Sequence, residues 1–257
     1  MNIFHALILG IVEGITEFLP ISSTGHLILT ADLLKLLQDD FVKTFEIVIQ
    51  LGAILAVIVL YWKRIWNKKM IGLLIAGFIP TAVIGLALYS FIKHYLLGNT
   101  VVVLIALFLG GVGLVVFERY YARRVMVETP MKVTDISYKQ AAYLGLFQSI
   151  ALIPGVSRSA ATIVGGLWMG LPRKTIVEFS FLLAVPTMIA ASGLDLVKSG
   201  FNYGPLAYVL LAVGFIAAFI TALFVIKALL KFIRNHTFVP FGIYRMIAAV
   251  VFALFIL

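Results

Sequence analysis

The stretch IFHALILGIVEGITEFLPISSTGHLILTADLL, residues 3–34, is apolar at both ends and polar in its middle, and that interruption governs the fold. A continuous run of this length would cross a bilayer, at about 1.5 Å per residue over about 30 Å of hydrocarbon. Pro20 prevents it, because proline has no N–H to donate and its ring clashes with the preceding turn. The pieces on either side, about 13–17 residues each, are too short to span. Two half-length helices that enter and leave on one side, buried among other helices, satisfy the backbone of such a segment. A second stretch of this type, Tyr138–Leu171, breaks at Pro154-Gly155.

Six further stretches are long and apolar without a break: Phe45–Trp62, Met70–Ile92, Thr100–Phe117, Ile176–Val197, Pro205–Ile226 and Phe238–Leu257. The expected fold class is therefore an all-α polytopic membrane protein, with six transmembrane helices plus two re-entrant helix pairs. Composition agrees. The chain is 63% hydrophobic and 12% charged, whereas soluble domains are about 45–50% apolar and about 25% charged. A soluble fold of this length has too little interior for so many apolar side chains, so the surplus faces lipid. The net charge of +9 does not indicate nucleic acid, because the basic residues sit between apolar runs as loop anchors. The absence of cysteine excludes disulfides and thiolate metal sites. Met1–Gly10 lacks a basic region and no small-residue cleavage site follows it, so no cleavable signal is expected. Residues 1–257 read as one integral membrane domain.

If neither broken pair crosses, the inside loops are 63–69, 118–139, 171–175 and 227–237. They hold Lys63, Arg64, Lys68, Lys69, Arg119, Arg123, Arg124, Lys132, Lys139, Arg173, Lys174, Lys227, Lys231 and Arg234, which is 14 of the 20 basic residues. Lys35, Lys43, Lys93 and Lys198 lie outside, and Arg158 and Arg245 lie within apolar segments. The positive-inside rule then turns both termini outward. An internal repeat agrees. A shift of 135 residues lays Gly10-Ile-Val-Glu13 on Gly145-Leu-Phe-Gln148, and Ile21-Ser22 on Val156-Ser157. Each half, about 1–118 and 138–257, would hold one broken pair and three spans. Three is odd, so the halves are inverted, an architecture that puts its site at the repeat interface.

The polar residues gather at the two breaks. In the first, Glu13 and Glu17 share a helix face, Pro20 ends that helix, and Ser22 and Ser23 stand where N-caps belong. His26, three residues after Ser23, returns to the same face. In the second, Pro154-Gly155 ends a helix, Ser157 and Ser159 cap the next, and Arg158 is buried. A lone arginine at membrane depth costs about 2.5–3.5 kcal/mol and needs an anion. Two hydroxyl-lined helix N-termini joined by a guanidinium suit a phosphate or pyrophosphate. Either cluster alone is also compatible with helix packing by small residues, and Glu13, Glu17 and Arg158 with a structural ion pair. A lone His26 is more often a hydrogen-bonded core residue, and His5, His94 and His236 read as structural or interfacial. Glu46, Gln50, Glu178, Asp195 and Arg245 are further candidates near the site, with a Glu178–Arg245 pair as one option.

Together, EGITEFLPISSTGH at 13–26 and PGVSRSAAT at 154–162 resemble the two signature motifs of the bacterial undecaprenyl pyrophosphate phosphatases, the bacitracin-resistance family. The likeness continues through FEIVIQLGAILA at 45–56 and EFSFLLAVP at 178–186. The resemblance implies hydrolysis of undecaprenyl pyrophosphate at the outer face of the bacterial cytoplasmic membrane, recycling the cell-wall lipid carrier. By matching positions it implies Glu13, Glu17, Ser22, Ser23, Thr24 and His26 in the first motif and Ser157, Arg158, Ser159 and Thr162 in the second. Ala160 departs from the pattern, in a place where the family often has glycine. It also implies dependence on Mg²⁺ or Ca²⁺. Electrostatics points the same way: Glu13 and Glu17 would repel a head carrying about two to three negative charges, and a divalent cation would bridge them. Ser23 attack with His26 or a glutamate as base, His26 attack, and direct attack by water all remain open. So does a homodimer. A transporter or flippase is the rival reading of an inverted repeat, but the ionisable groups concentrate at one site beside a nucleophile candidate. A membrane scaffold has no use for buried acids beside a buried arginine.

Overall fold

The structure, a computed structural model, describes residues 1–37, 39–96, 99–122, 130–199 and 203–256. Eleven α-helices occupy them: α1 (Ile3–Thr16), α2 (Ser23–Leu33), α3 (Asp40–Ile65), α4 (Lys68–Ala87), α5 (Tyr89–Phe91), α6 (Thr100–Ala122), α7 (Tyr138–Ser149), α8 (Arg158–Trp168), α9 (Arg173–Ser199), α10 (Pro205–Phe232) and α11 (Val239–Ile256). Among the described residues there is no strand. The helices begin where side chains accept from orphan N–H groups. Asn2 accepts from His5, Asp39 from Val42 and Asn67 from Lys69, while Ser137 and Gln140 cap reciprocally.

Among the described residues, five helices are long and apolar enough to cross a membrane: Asp40–Ile65, Lys68–Ala87, Thr100–Tyr121, Arg173–Gly193 and Pro205–Phe232. The sixth expected segment forms α11, a shorter apolar helix of 18 residues. The second expected span ends early, at Ala87 rather than Ile92, where the chain turns through α5 into a single π-turn, Ile92–Leu96. Apolar side chains cover the outside as the composition requires: on α4, Ile75, Ile79, Val83 and Leu86 are each at least half exposed along one stripe. Arg123 and Arg124, two of the inside basic residues, lie outside the described residues.

Both interrupted stretches break where expected. α1 and α2 are separated by 17–22, and α7 and α8 by a 3₁₀ turn, Ile150–Leu152, and 153–157. The N-caps Ser22 (φ 71°) and Ser157 (φ 76°) adopt the same unusual backbone, and each hydroxyl accepts from the N–H three residues on. A non-glycine residue at positive φ costs on the order of 1–3 kcal/mol and persists only where its surroundings over-determine it.

The broken pairs are built into the bundle at glycine contacts. α1 packs on α10 and α7 on α4. A Cβ on Gly10 would strike the backbone of Gly214, and a Cβ on Gly145 the backbone of Gly77. α3 packs against both α9 and α10, and α6 against α11. Phe18, next to the first break, meets Phe181 of α9 edge-on at 5.3 Å in the main core.

At one end of the bundle, two ion pairs join helix ends. Arg64 of α3 pairs with Glu178 of α9, and Arg173 of α9 pairs with Glu118 of α6. Glu118 is 1% exposed, and it also accepts from the N–H of Phe238, at 3.0 Å, just before α11. Glu178 is therefore Arg64's partner, and the Glu178–Arg245 option fails. Arg64 stands at the end of the helix that α9 packs against, whereas Arg245 lies in the middle of α11, among backbone carbonyls.

Candidate active site

The two breaks meet at a cavity of about 200 Å³ whose wall includes Glu17, Ser22, Ser23, Thr24, Ser157 and Arg158. Ser23 and Arg158 are the first residues of α2 and α8, and the shift of 135 that aligns the repeats superposes one on the other. Glu17, just past the end of α1, stands between them. The Ser23 hydroxyl donates to Glu17 Oε2 at 2.6 Å, and Arg158 Nη2 donates to Glu17 Oε1 at 3.0 Å. The two carboxylate oxygens thus face a hydroxyl from one half and a guanidinium from the other. Arg158 also donates from Nη1 to the Ser180 carbonyl at 2.8 Å, and its Nε–H has no partner. Arg158 lines the cavity, and a guanidinium with donor capacity to spare is suited to an anion.

Glu13 is fully buried, and neither of its oxygens accepts a hydrogen bond. Glu17, Glu46 and Arg158 are its charged neighbours. An orphaned carboxylate at zero exposure is out of balance unless a proton or a cation completes it. A proton shared with the Glu17 carboxyl is one way to complete it, and a cation is the other, since two neighbouring carboxyls are oxygen donors of the kind a divalent cation takes. Among the described residues, however, no three His, Asp or Glu side chains come together, so neutral oxygens or substrate would have to complete its shell.

His26 points away from Ser23. Its Nδ1–H donates to the Ser22 carbonyl at 2.7 Å, and its Nε2 faces the Tyr244 hydroxyl at 2.8 Å, with the two rings stacked. Thr162 and Ser159 are off the cavity wall. Thr162 donates to the Arg158 carbonyl at 2.6 Å, and Ser159 donates to the Leu19 carbonyl at 3.0 Å, tying the second break to the first.

Arg245 does the larger share of that tying. It is fully buried, and all five of its N–H groups donate to carbonyls. Nη1 reaches Pro20 (3.3 Å) and Val156 (3.0 Å), Nη2 reaches Ala106 (3.2 Å) and Gly155 (3.0 Å), and Nε reaches Leu107 (3.2 Å). One side chain of α11 thereby holds the first break, the second break and α6 in one place. The sequence offers Arg245 as a further candidate near the site or a partner of Glu178 and gives no hint of this role, because carbonyls of loop residues leave no trace in composition.

Three further wall residues, Thr81, Gln148 and Thr187, escaped a reading centred on the breaks. A signal existed. Each threonine follows a proline inside a helix, Pro80 in α4 and Pro186 in α9, and Gln148 is the residue the repeat aligns with Glu13.

The family model described as "Bacitracin resistance protein BacA" matches residues 6–251. Similar curated proteins are each named undecaprenyl-diphosphatase. One from Aquifex aeolicus is 50% identical over 263 residues, covering 100% of both chains. One from Sulfurihydrogenibium sp. is 49% identical over 254 residues, covering 99% of each. One from Wolinella succinogenes is 50% identical over 257 residues, covering 100% of this chain and 99% of its own.

Proposed function

We propose, from the premise that this chain belongs to the bacitracin resistance protein BacA family, that it is a multi-pass membrane phosphatase hydrolysing undecaprenyl pyrophosphate to undecaprenyl phosphate and inorganic phosphate. The observation that carries the chemistry is the Ser23–Glu17–Arg158 chain at the cavity wall.

In this reading Arg158 and the N–H groups opening α8 hold the terminal phosphate. Ser22, Thr24 and Ser157 line its seat, and Ser159 and Thr162 hold the α8 start that presents Arg158. Ser23 Oγ attacks the terminal phosphorus while its proton passes to Glu17, which already accepts it. The bond from phosphorus to the bridging oxygen breaks, and undecaprenyl phosphate leaves with that electron pair. Water then attacks the phosphoserine. The P–Oγ bond breaks, Ser23 recovers a proton from Glu17, and phosphate departs. Glu17 is the base in this scheme because Ser23 donates to it, whereas both nitrogens of His26 are engaged with Ser22 and Tyr244. His26 orients the start of α2. Glu13 and Glu17 would hold a Mg²⁺ or Ca²⁺ ion, which when bound supplies the positive charge that one guanidinium lacks against a pyrophosphate head.

The orientation that fits this chemistry is an inner-membrane protein with both termini outside and the site toward the outer face. The ion pairs at one end of the bundle support it, since they gather the basic ends of α3, α6 and α9 on one side. Matching N-cap geometry at Ser22 and Ser157, and the matching contacts of α1 with α10 and α7 with α4, support an inverted repeat built of six spans and two re-entrant pairs within one domain.

The test is phosphate release from undecaprenyl pyrophosphate by the purified protein in detergent, with Mg²⁺ or Ca²⁺ and with chelator. Release that needs the cation and disappears in Ser23→Gly is the expected result. Glycine costs a helix cap only a few tenths of a kcal/mol, so a folded Ser23→Gly protein with substantial turnover would pass the attack to water or His26. No release under any condition would favour a transporter.

A further inference from the structure

Gln148 of α7 lies on the cavity wall at 2% exposure, and its amide has no freedom of orientation. Thr81 donates its only hydroxyl proton to the Gly145 carbonyl at 2.8 Å, and Thr187 donates its own to the Leu183 carbonyl at 2.8 Å. Both hydroxyls can then only accept, and they accept from Gln148 Nε2 at 2.9 and 3.1 Å. This fixes the NH₂ group toward the threonines and Oε1 away from them. There Oε1 is buried and accepts nothing. A buried amide oxygen left unmatched costs about 1–3 kcal/mol.

A phosphate oxygen cannot complete it, since lone pairs would face lone pairs. What complements a locked acceptor is a cation or an N–H or O–H donor, and the surroundings favour the cation. Gln148 shares the cavity wall with the Glu17 carboxylate and the Gln50 amide, and none of the donors on that wall, Arg158 and the hydroxyls of Ser22, Ser23, Thr24 and Ser157, bonds to its Oε1. Glu13, beside Glu17, is likewise short of donors. No three acidic or imidazole groups gather among the described residues, so a cation held near Glu17 needs neutral oxygens, which hard cations take readily. Finally, the shift of 135 lays Gln148 on Glu13, so the second half offers an amide oxygen where the first offers a carboxylate.

We propose that Gln148 Oε1, held in place by Thr81 and Thr187, is a neutral ligand of a divalent cation shared with the glutamates of the first break. This deepens the phosphatase reading and rests on it only for the purpose of the cation, not for its binding.

The experiment is calorimetric titration of Ca²⁺ into the full-length purified chain without substrate, with thermal melting as a check on folding. Gln148→Met keeps the length and removes the oxygen, and it should weaken Ca²⁺ by about tenfold to hundredfold, the range typical of losing a supporting group at a metal site. Gln148→Glu should tighten binding. The double variant Thr81→Val with Thr187→Val keeps the amide but frees it to rotate, and it should fall between wild type and Gln148→Met. It stands in if Gln148→Met fails to fold. Ca²⁺ affinity indifferent to Gln148 and to both threonines, or no Ca²⁺ binding by the intact chain, overturns the assignment and leaves an N–H or O–H donor at Oε1. Ca²⁺ binding through Gln148 without phosphate release would sink the phosphatase reading and leave this one standing. Normal release with affinity indifferent to Gln148 would do the reverse.

Discussion

Arg158 and Arg245 are both arginines set within apolar sequence, and they serve opposite ends. Arg245 is fully buried and saturated, with five N–H groups on five carbonyls and no carboxylate among its partners. Arg158 lies on the cavity wall, shares a carboxylate with Ser23 and keeps an N–H unmet. Charge and hydropathy do not separate the two. Open hydrogen-bonding capacity does: a guanidinium with nothing left to donate can only fix structure, and one with capacity to spare is the one the proposed phosphate seat uses.

The comparison breaks if Arg158 turns out to be structural. Arg158→Lys keeps the charge and loses the planar fork, so turnover should fall by about 10²–10³-fold, as for loss of an oxyanion donor, with the melting temperature unchanged. Retained turnover would make Arg158 a counter-ion for Glu17 and no more.

Arg245→Met should show the reverse pattern. It strands the carbonyls of Pro20, Gly155 and Val156, each at a cost of about 1–3 kcal/mol, so the melting temperature should fall far or the protein should fail to accumulate. Protein that does fold should turn over within a few-fold of wild type. A stable, inactive Arg245→Met protein would place this arginine in the chemistry instead.

Glu118→Gln sharpens the contrast at a third point, away from the cavity. It leaves Arg173 without its carboxylate, and breaking a buried pair costs about 3–5 kcal/mol. Urea or thermal unfolding should register the loss, with kcat unaffected in the folded fraction.

The smallest effect is expected at the His26 contact. Tyr244→Phe removes one hydrogen bond, worth about 1 kcal/mol, and should change turnover less than a few-fold. A hundredfold loss would bring His26 back as nucleophile or base.

Much of this is legible in the amino-acid sequence. Glu13, Glu17, Ser22, Ser23, Arg158 and the two helix breaks are visible because proline and glycine interrupt apolar runs, and polar groups at such places have few structural uses. Thr81 and Thr187 stand out only as threonines that follow a helix proline, and Gln148 only as the residue the repeat lays on Glu13, because a single polar residue inside a helix looks incidental.

That the chain is helical, that its surplus apolar surface faces lipid, and where its helices break can all be read from residue order, since these follow from local backbone chemistry and from the cost of unpaired groups in hydrocarbon. Which carboxylate meets Ser23, which arginine keeps an unmet N–H, and which oxygens stay unmatched emerge with the packed fold. These are properties of pairs of residues as far apart as Glu17 and Arg158, and a pair's geometry is settled by packing and not by either residue's neighbours in the chain.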